Sequence, residues 1–545
     1  MKIGLIFPNK DRKDKTVHIG LGYLASYARK EHHDTVFSIL DTRISTEKEI
    51  RKFLNSDFGL IGLTVLSPVY YEVADLVKKI RIIAPDTPII AGGPYVTTMM
   101  EEIFDGLDID YAVYGEGEVT FSEFISFLKK ERSIETIDGL IYRNAENIIV
   151  KNPPRKQIKD LDSIPFPAYD LFKMNRYPMH RITTTRGCPY KCVFCNSSSI
   201  WDWKWRKRSV ENIVEEIQYL LKNYGKKVFF LNDNTFNVDL GRIELFCKTL
   251  IEKKINILWS TPVKVEIITP EVATLMKKAG CYSVGIGIES ANNEILKNIR
   301  KNTTIEDIDK GIAVFKKAGI EVLGQFVIGS PGDTLETVKE SIDYAKRSAL
   351  DFIMFYSILP FRGTEQWDYA VKNGNFPMRK IHEFHSISPR IVFETPEFPY
   401  NDRLEAIRLA KSAGYYSESN NRSYFFDFGK ETARKIQAYL PSFISDRLYI
   451  FMKNFYRKRL LNKDLKLSGY HKELSAESTE NKLNKTSMTG WPPDRQEICN
   501  NDFRLLPSTV ADTLNQAKTQ SCPENNAGQK ALQHASEIYQ ENPVH

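Results

Sequence analysis

From residue 1 to about 150, short runs of aliphatic and β-branched residues alternate with longer stretches whose apolar positions recur every three or four residues. The short runs, at 3–7, 36–40, 60–65 and 88–91 with a weaker one at 112–114, predict strands; the stretches at 21–31, 47–55, 71–83 and 95–104 predict helices. Strand and helix in alternation imply a parallel sheet covered on both faces, a doubly wound domain. Such sheets take their ligands beyond the carboxyl ends of the strands, where the strand order reverses. The turns there are 64–67, Gly92-Gly93-Pro94 and Gly115-Glu116-Gly117-Glu118. They make Thr64, Ser67, Gly92, Gly93, Gly115 and Glu116 candidate ligand contacts, because glycine lets a backbone approach a bulky group closely. Ordinary strand-to-helix turns would read the same way.

Residues 151–178 lose the periodicity and become rich in Pro, Lys and Asp, as in Pro153-Pro154 and Ser163-Ile164-Pro165-Phe166-Pro167, which predicts an interdomain linker. A second alternating block fills 179–400, with strands at 181–185, 227–231, 258–260, 283–288, 322–328 and 352–358. Helices are expected between them at 210–222, 243–253, 270–279, 305–318 and 334–347. About six βα units in succession fit a complete or partial TIM-like (β/α) barrel, whose chemistry sits at the carboxyl ends of its strands. Residues 401–465 read as helical. Within them, 442–463 set Ile444, Leu448, Phe451, Met452 and Phe455 on one face with Arg447, Lys453, Arg457, Lys458 and Arg459 around it. Such a helix either docks on the barrel or a second subunit, or lies on a membrane surface. From 466 to 545 apolar residues are sparse, which predicts a disordered tail.

Composition narrows the class. No apolar run approaches the roughly 20 residues of a membrane span, and the first strand is too short for a signal peptide and meets Pro8 and charges at once. A cytoplasmic protein is the expectation. A net charge of +7 on 545 residues permits an anionic partner but selects none, and no nucleic acid is expected. Three of the seven cysteines fall within residues 188–195. In a reducing compartment such crowding points to metal or redox chemistry rather than disulfides.

That triplet reads Gly187-Cys188-Pro189-Tyr190-Lys191-Cys192-Val193-Phe194-Cys195, a C-x3-C-x2-C spacing directly after a predicted strand. A four-iron cluster normally takes four thiolates, so three in one loop leave an iron open to a small molecule. A structural zinc site wants four closed ligands, usually as two pairs. No second Cys or His pair lies nearby, and Cys247 and Cys281 fall in a predicted helix and at a strand start.

With Phe194 before the third cysteine, the loop resembles the signature of the radical S-adenosylmethionine superfamily. The resemblance continues along the strands. Phe230-Leu231-Asn232-Asp233-Asn234 looks like the acidic turn on the methionine side of the cofactor. Val284-Gly285-Ile286-Gly287-Ile288-Glu289 is similar to the strand whose glutamate meets the ribose hydroxyls. Gly324-Gln325-Phe326-Val327-Ile328-Gly329-Ser330-Pro331-Gly332 resembles the strand and turn backing the adenine. It implies a 4Fe-4S cluster on Cys188, Cys192 and Cys195, and S-adenosylmethionine held by Phe194, Asp233, Glu289 and Gln325. The implied chemistry is one-electron cleavage of S-adenosylmethionine to methionine and a 5′-deoxyadenosyl radical that abstracts hydrogen, with an electron donor such as flavodoxin or ferredoxin.

The doubly wound domain ahead of the barrel resembles the cobalamin-binding class of this superfamily. The likeness runs through Ile19-Gly20-Leu21-Gly22-Tyr23, Gly92-Gly93-Pro94, Asp110–Glu118, Trp205-Arg206-Lys207-Arg208-Ser209 and Pro360-Phe361-Arg362-Gly363-Thr364-Glu365, covering 1 to about 375. The D-x-H-x-x-G motif that supplies cobalt with a histidine is absent, and His18 stands at the wrong spacing, so axial ligation is open. Cobalamin would imply methyl transfer to carbon. Two alternatives stand beside it: a radical cyclisation, rearrangement or oxidation, as in the anaerobic magnesium-protoporphyrin ester cyclase, and a non-catalytic carrier or sensor. The substrate is an unidentified small molecule. The Trp201–Trp205 loop could wall a planar or apolar one, and the helix at 442–463 motivates a lipid; packing between domains explains the tryptophans equally well.

Overall fold

The computed structural model describes residues 1–9, 16–376 and 390–416, all within one compact unit. The helix anticipated at 442–463 and the tail lie outside the described residues. Seven strands form the first sheet: β1 (Lys2–Phe7), β2 (Val36–Asp41), β3 (Leu60–Thr64), β4 (Ile89–Gly92), β5 (Tyr111–Val113), β6 (Leu140–Arg143) and β7 (Ile149–Lys151). The helices α1 (Ile19–Glu31), α2 (Glu47–Leu54), α3 (Tyr70–Ile83), α4 (Pro94–Met99) and α5 (Gly117–Leu128) connect and cover them. The order β2-β1-β3-β4-β5 is parallel, with β6 and β7 added antiparallel. It reverses between β1 and β3, which puts the ligand crevice beyond Phe7 and Thr64. All five residues of β3 are buried, as expected of a strand covered on both faces. Local chemistry agrees with the packing: Thr46 and Glu49 close a reciprocal capping box on α2.

The second sheet contains β8 (His180–Ile182), β11 (Val228–Leu231), β12 (Leu258–Val263), β13 (Cys281–Glu289), β14 (Glu321–Ile328) and β15 (Phe352–Ser357), six parallel strands in that order. Its ends do not pair with each other, so it is a partial barrel. A two-strand ribbon, β9 (Thr185–Arg186) with β10 (Arg206–Lys207), rises from the end of β8. The helices are α6 (Ser197–Trp201), α7 (Val210–Tyr224), α8 (Leu240–Glu252), α9 (Pro270–Lys278), α10 (Asn293–Asn298), α11 (Ile305–Lys317), α12 (Leu335–Arg347), α13 (Glu365–Asn373) and α14 (Tyr400–Ser412). Burial alternates along β14: Val322, Gly324, Phe326 and Ile328 are buried, whereas Leu323, Gln325 and Val327 are half-buried on the opposite, concave face.

Between the sheets, 152–179 form a strap rather than a loose tether. Three single 3-10 turns bury Leu161, Tyr169 and Met174, and Ile164, Phe172 and Tyr177 are buried beside them. Tyr177 donates to Asp41 at 2.9 Å on one side, and Tyr169 donates to Glu216 of α7 at 2.8 Å on the other. One continuous apolar core therefore includes Phe7, Phe124, Tyr169, Phe229 and Phe326.

His180, at the foot of β8, is fully buried against Phe229, and neither ring nitrogen has a hydrogen-bond partner. Burial, helped by the Lys226 charge, lowers its pKa from 6.5 to about 4. The unfolded chain therefore binds a proton that the folded chain refuses. Stability is complete above pH 6.5 and is lost as the pH falls toward 4. At about 1.36 kcal/mol per pH unit the loss is roughly 2 kcal/mol by pH 5. Urea unfolding of wild type and His180→Phe at pH 7.5 and pH 5 checks this: only wild type should weaken by that amount.

Candidate active site

The cysteine loop leaves β9 and is held by neighbours on both sides. The Asp233 carboxylate, at the end of β11, accepts from the Thr184 and Thr185 N–H groups at 2.7 and 3.0 Å and from the Thr184 hydroxyl. It is buried, which pushes its pKa up against the lowering effect of those hydrogen bonds. Gly187 follows with φ +84°; a Cβ there would stand 1.8 Å from the Lys204 carbonyl oxygen, so only glycine fits. Val193 then donates to Ile299 O at 3.2 Å and accepts from the Gln366 N–H at 3.0 Å. Phe194 packs against the small core of Ile358, Ala370, Val392 and Phe393.

All three thiols are half-buried, and Cys188 Sγ lies 3.6 Å from Thr235 Oγ1. Burial raises Cys192, and raises Cys195 to about 11, so as free groups they stay protonated at neutral pH. Among the described residues no three His, Cys, Asp or Glu side chains converge on one point where a single ion could sit. Three separated thiols suit a multi-iron cluster, in which each thiolate binds a different iron. Cations stand ready to offset its charge. Burial alone would lower Lys301, but the Glu289 carboxylate, which accepts its hydrogen bond, holds it above its ordinary value. Lys264 lies 4.8 Å over the Tyr190 ring, and burial together with the Lys301 charge lowers it to about 8.

Glu289 closes β13 in a left-handed conformation, φ +70°, at a register shift between Gly287 and Glu289. Such strain in a non-glycine residue concentrates at functional positions. Its carboxylate accepts from Lys301 at 2.9 Å. Gln325 lies beside Gly287 on β14, and a Cβ on Gly285 would meet nothing within 4 Å, so the concave face is open there. The Gln366 amide is fully buried with neither its oxygen nor its nitrogen hydrogen-bonded, and the Ser330 hydroxyl is likewise buried and unpaired. Leaving such groups unsatisfied costs about 1–3 kcal/mol each, and both stand on segments that frame the cysteine loop or the β14 turn. These features fit a cluster and a polar cofactor.

In the first sheet, Thr64 is buried, Gly93 packs its backbone against the Val65 carbonyl, and Ser67 begins a single 3-10 turn. Gly115 has φ +76° and open space where a side chain would be, while its N–H donates to Thr97 Oγ1 at 3.0 Å. Asn9, just past β1 at the reversal of strand order, is buried with its amide nitrogen unpaired. This open, glycine-walled crevice with an orphaned amide fits a large polar cofactor such as cobalamin. His18 occupies the position just before α1, makes no side-chain capping bond to it, and stacks on Phe7 with ring centroids 4.1 Å apart. Glu116 instead faces the barrel, where it accepts from Arg186, Arg206 and the Ile158 N–H at 2.8, 2.9 and 2.7 Å. Within the tryptophan loop, Trp201 meets the strap and the ribbon, with Gln157 donating to Trp201 O at 3.1 Å and Arg206 lying over the Trp201 ring, whereas Trp203 is exposed.

Several site residues were silent in the sequence. Lys301 and Lys264 sit in loops without any pattern, and Gln366 follows the Pro360–Glu365 motif by one position. Arg186 did carry a signal, since it immediately precedes Gly187-Cys188.

Comparison with known proteins agrees with this geometry. Residues 182–345 match the Radical SAM superfamily, and residues 10–125 match the B12 binding domain. An uncharacterised methyltransferase of Pyrococcus horikoshii is 35% identical over 76% of this chain and 92% of its own length. The anaerobic magnesium-protoporphyrin IX monomethyl ester cyclase of Rubrivivax gelatinosus is 28% identical over 60% of this chain and 61% of its own. Among solved structures, the cobalamin-dependent S-adenosylmethionine radical enzyme OxsB has a TM-score of 0.63 at 18% identity, over 89% of this chain and 77% of that one. The radical S-adenosylmethionine methyltransferase TsrM of Kitasatospora setae has a TM-score of 0.59 at 20% identity, over 68% and 78%. Both share the fold. The matched families bring a 4Fe-4S cluster, S-adenosylmethionine and cobalamin as cofactors. With its cysteine loop, its glycine-walled crevice and a 35%-identical relative along most of its length, the chain belongs to the radical S-adenosylmethionine enzymes that carry a cobalamin-binding domain.

Proposed function

We propose that the enzyme is a cobalamin-dependent methyltransferase that methylates an unactivated carbon of a small molecule. The observation that carries this reading is the junction at Glu116: the turn that walls the cobalamin crevice is bonded to the ribbon that leads into the cysteine loop. Two cofactor sites built into one junction serve a reaction that needs both, and the Pyrococcus relative supports methyl transfer. When bound, the cluster and S-adenosylmethionine supply a hydrogen-abstracting radical, and cobalamin supplies a route for the methyl group.

The chain's own residues do the rest. Cys188, Cys192 and Cys195 would hold three irons, Phe194, Glu289 and Gln325 would contact S-adenosylmethionine beside them, and Asp233 fixes the loop's entry through Thr184 and Thr185. Thr64, Ser67, Gly92, Gly93 and Gly115 would line the cobalamin side. Half-buried Leu323 and Val327 place apolar side chains on either side of Gln325 on the concave face, which limits water around a radical. This supports an apolar substrate; the sequence at 442–463 supports a lipid and peripheral membrane contact. A reductant is required, and its class fits a flavodoxin or ferredoxin in the cytoplasm. No helix among the described residues is long and apolar enough to cross a membrane.

A second reading, radical cyclisation or oxidation, is favoured by the 28%-identical cyclase. Products of S-adenosylmethionine separate the two. Anaerobically reconstituted enzyme given reductant, cobalamin and candidate substrates should form 5′-deoxyadenosine and S-adenosylhomocysteine in equal amounts if it methylates. Deoxyadenosine alone sinks the methyl-transfer reading.

A further inference from the structure

The junction between the crevice and the cysteine loop is an ion network with a definite geometry. Arg186, two positions before Cys188, donates to Glu116 at 2.8 Å and to Glu118 at 2.5 Å. Arg206, its partner across the ribbon, donates to the other oxygen of Glu116 at 2.9 Å and to Ile158 O at 2.5 Å. The side chains of Arg186, Arg206, Glu116 and Glu118 are between 3% and 11% exposed. The guanidiniums are further enclosed by the rings of Tyr23 and Trp201. Two carboxylates and two guanidiniums balance in charge. Glu116 and Glu118 also stand at the amino end of α5, where negative charge is favoured.

Burying such charges gains little stability, because desolvation offsets attraction, yet removing one partner is costly. What the network gives is geometry. Arginine's planar fork holds two carboxylates in a fixed relative orientation, whereas a lysine offers a point charge on a flexible stem. Burial opposes the charge on Glu118, but Arg186 overcomes it and holds the carboxyl below its ordinary range.

We infer that Arg186, bridging Glu116 and Glu118, is a positioning residue that holds the cobalamin crevice and the cluster loop in one fixed relation, so that radical formation and methyl transfer stay coupled. The coupling half of this rests on the methyl-transfer reading; the mechanical half does not. The test uses full-length, cluster-loaded enzyme and measures amide hydrogen exchange in 186–195 before and after adding cobalamin. In wild type, cobalamin should slow exchange in this loop about tenfold, because the crevice and loop move as one body. Arg186→Lys, with iron and cobalamin content retained, should cut that slowing to less than twofold. It should also lower methylated product per 5′-deoxyadenosine several-fold. Should Arg186→Lys fail to fold, the paired Arg186→Met/Glu118→Met, which removes one charge of each sign, takes its place.

Equal slowing in variant and wild type, or none in either, overturns the inference. If wild type makes no methylated product at all, the methyl-transfer reading fails on its own, and the exchange measurement still decides whether the network transmits position.

Discussion

Replacing any one of Cys188, Cys192 or Cys195 with alanine abolishes cleavage of S-adenosylmethionine and leaves cobalamin binding close to wild type. The three thiols stand on one loop, and among the described residues the other two cysteines, Cys247 and Cys281, are buried in α8 and β13 and do not replace them. Losing one ligand leaves two thiolates for a cluster that needs three. The crevice depends on different residues. Its far side is backed by a separate apolar core that includes Ile6, Leu63, Val77 and Ala91, none of which touches the loop chemistry. Iron content and the cluster's visible absorption should collapse, 5′-deoxyadenosine should fall to background, and the absorbance change on adding cobalamin should persist. Loss of cobalamin binding in all three variants would mean that the loop also builds the crevice.

Replacing Asp233 with alanine should have the next largest effect, and its mode of failure is informative. The carboxylate satisfies two backbone N–H groups and a hydroxyl, all buried, at the entry to the cysteine loop. Arg242 packs nearby and donates to Thr184 O at 3.0 Å, so removal also strips a buried cation of its compensating charge. Stranding these groups should cost about 3–5 kcal/mol. Asp233→Ala should therefore unfold at lower urea and purify with little iron, whereas Asp233→Asn, which keeps one acceptor oxygen, should retain most of both. If Asp233→Ala instead keeps its stability and iron but loses S-adenosylmethionine affinity, the carboxylate contacts the cofactor, as the resemblance of the Asp233 turn implied.

The contrast between these residues shows what a sequence can carry. The strands at the core announced themselves because a strand buried on both faces, such as Leu60–Thr64, reads as a near-continuous apolar run, here broken only by Thr64 at its ligand end. The cysteine loop was legible because iron–sulfur ligation fixes residue type and spacing together. The hairpin of β6 and β7 was not: its three- and four-residue strands carry no period, and they exist because the edge of β5 is there to pair with. Glu116 and Asp233 were visible as acidic residues at strand ends, but their partners Arg186 and Thr184 lie 70 and 49 positions away. No local pattern announces a contact of that range. Lys301 is silent for the same reason: a loop lysine in sequence is a buried counter-charge only once Glu289 closes on it.

The strap at 152–179 bears on how such enzymes diversify. Its Tyr169 and Tyr177 are fastened to opposite halves, and its buried aromatic side chains belong to a core that neither half completes alone. A recombination event that exchanged only the first 150 residues would leave an apolar seam on both sides of the cut. Successful chimaeras between relatives should accordingly carry the donor's strap along with its cobalamin domain, which makes that inconspicuous segment the natural unit of inheritance for the crevice.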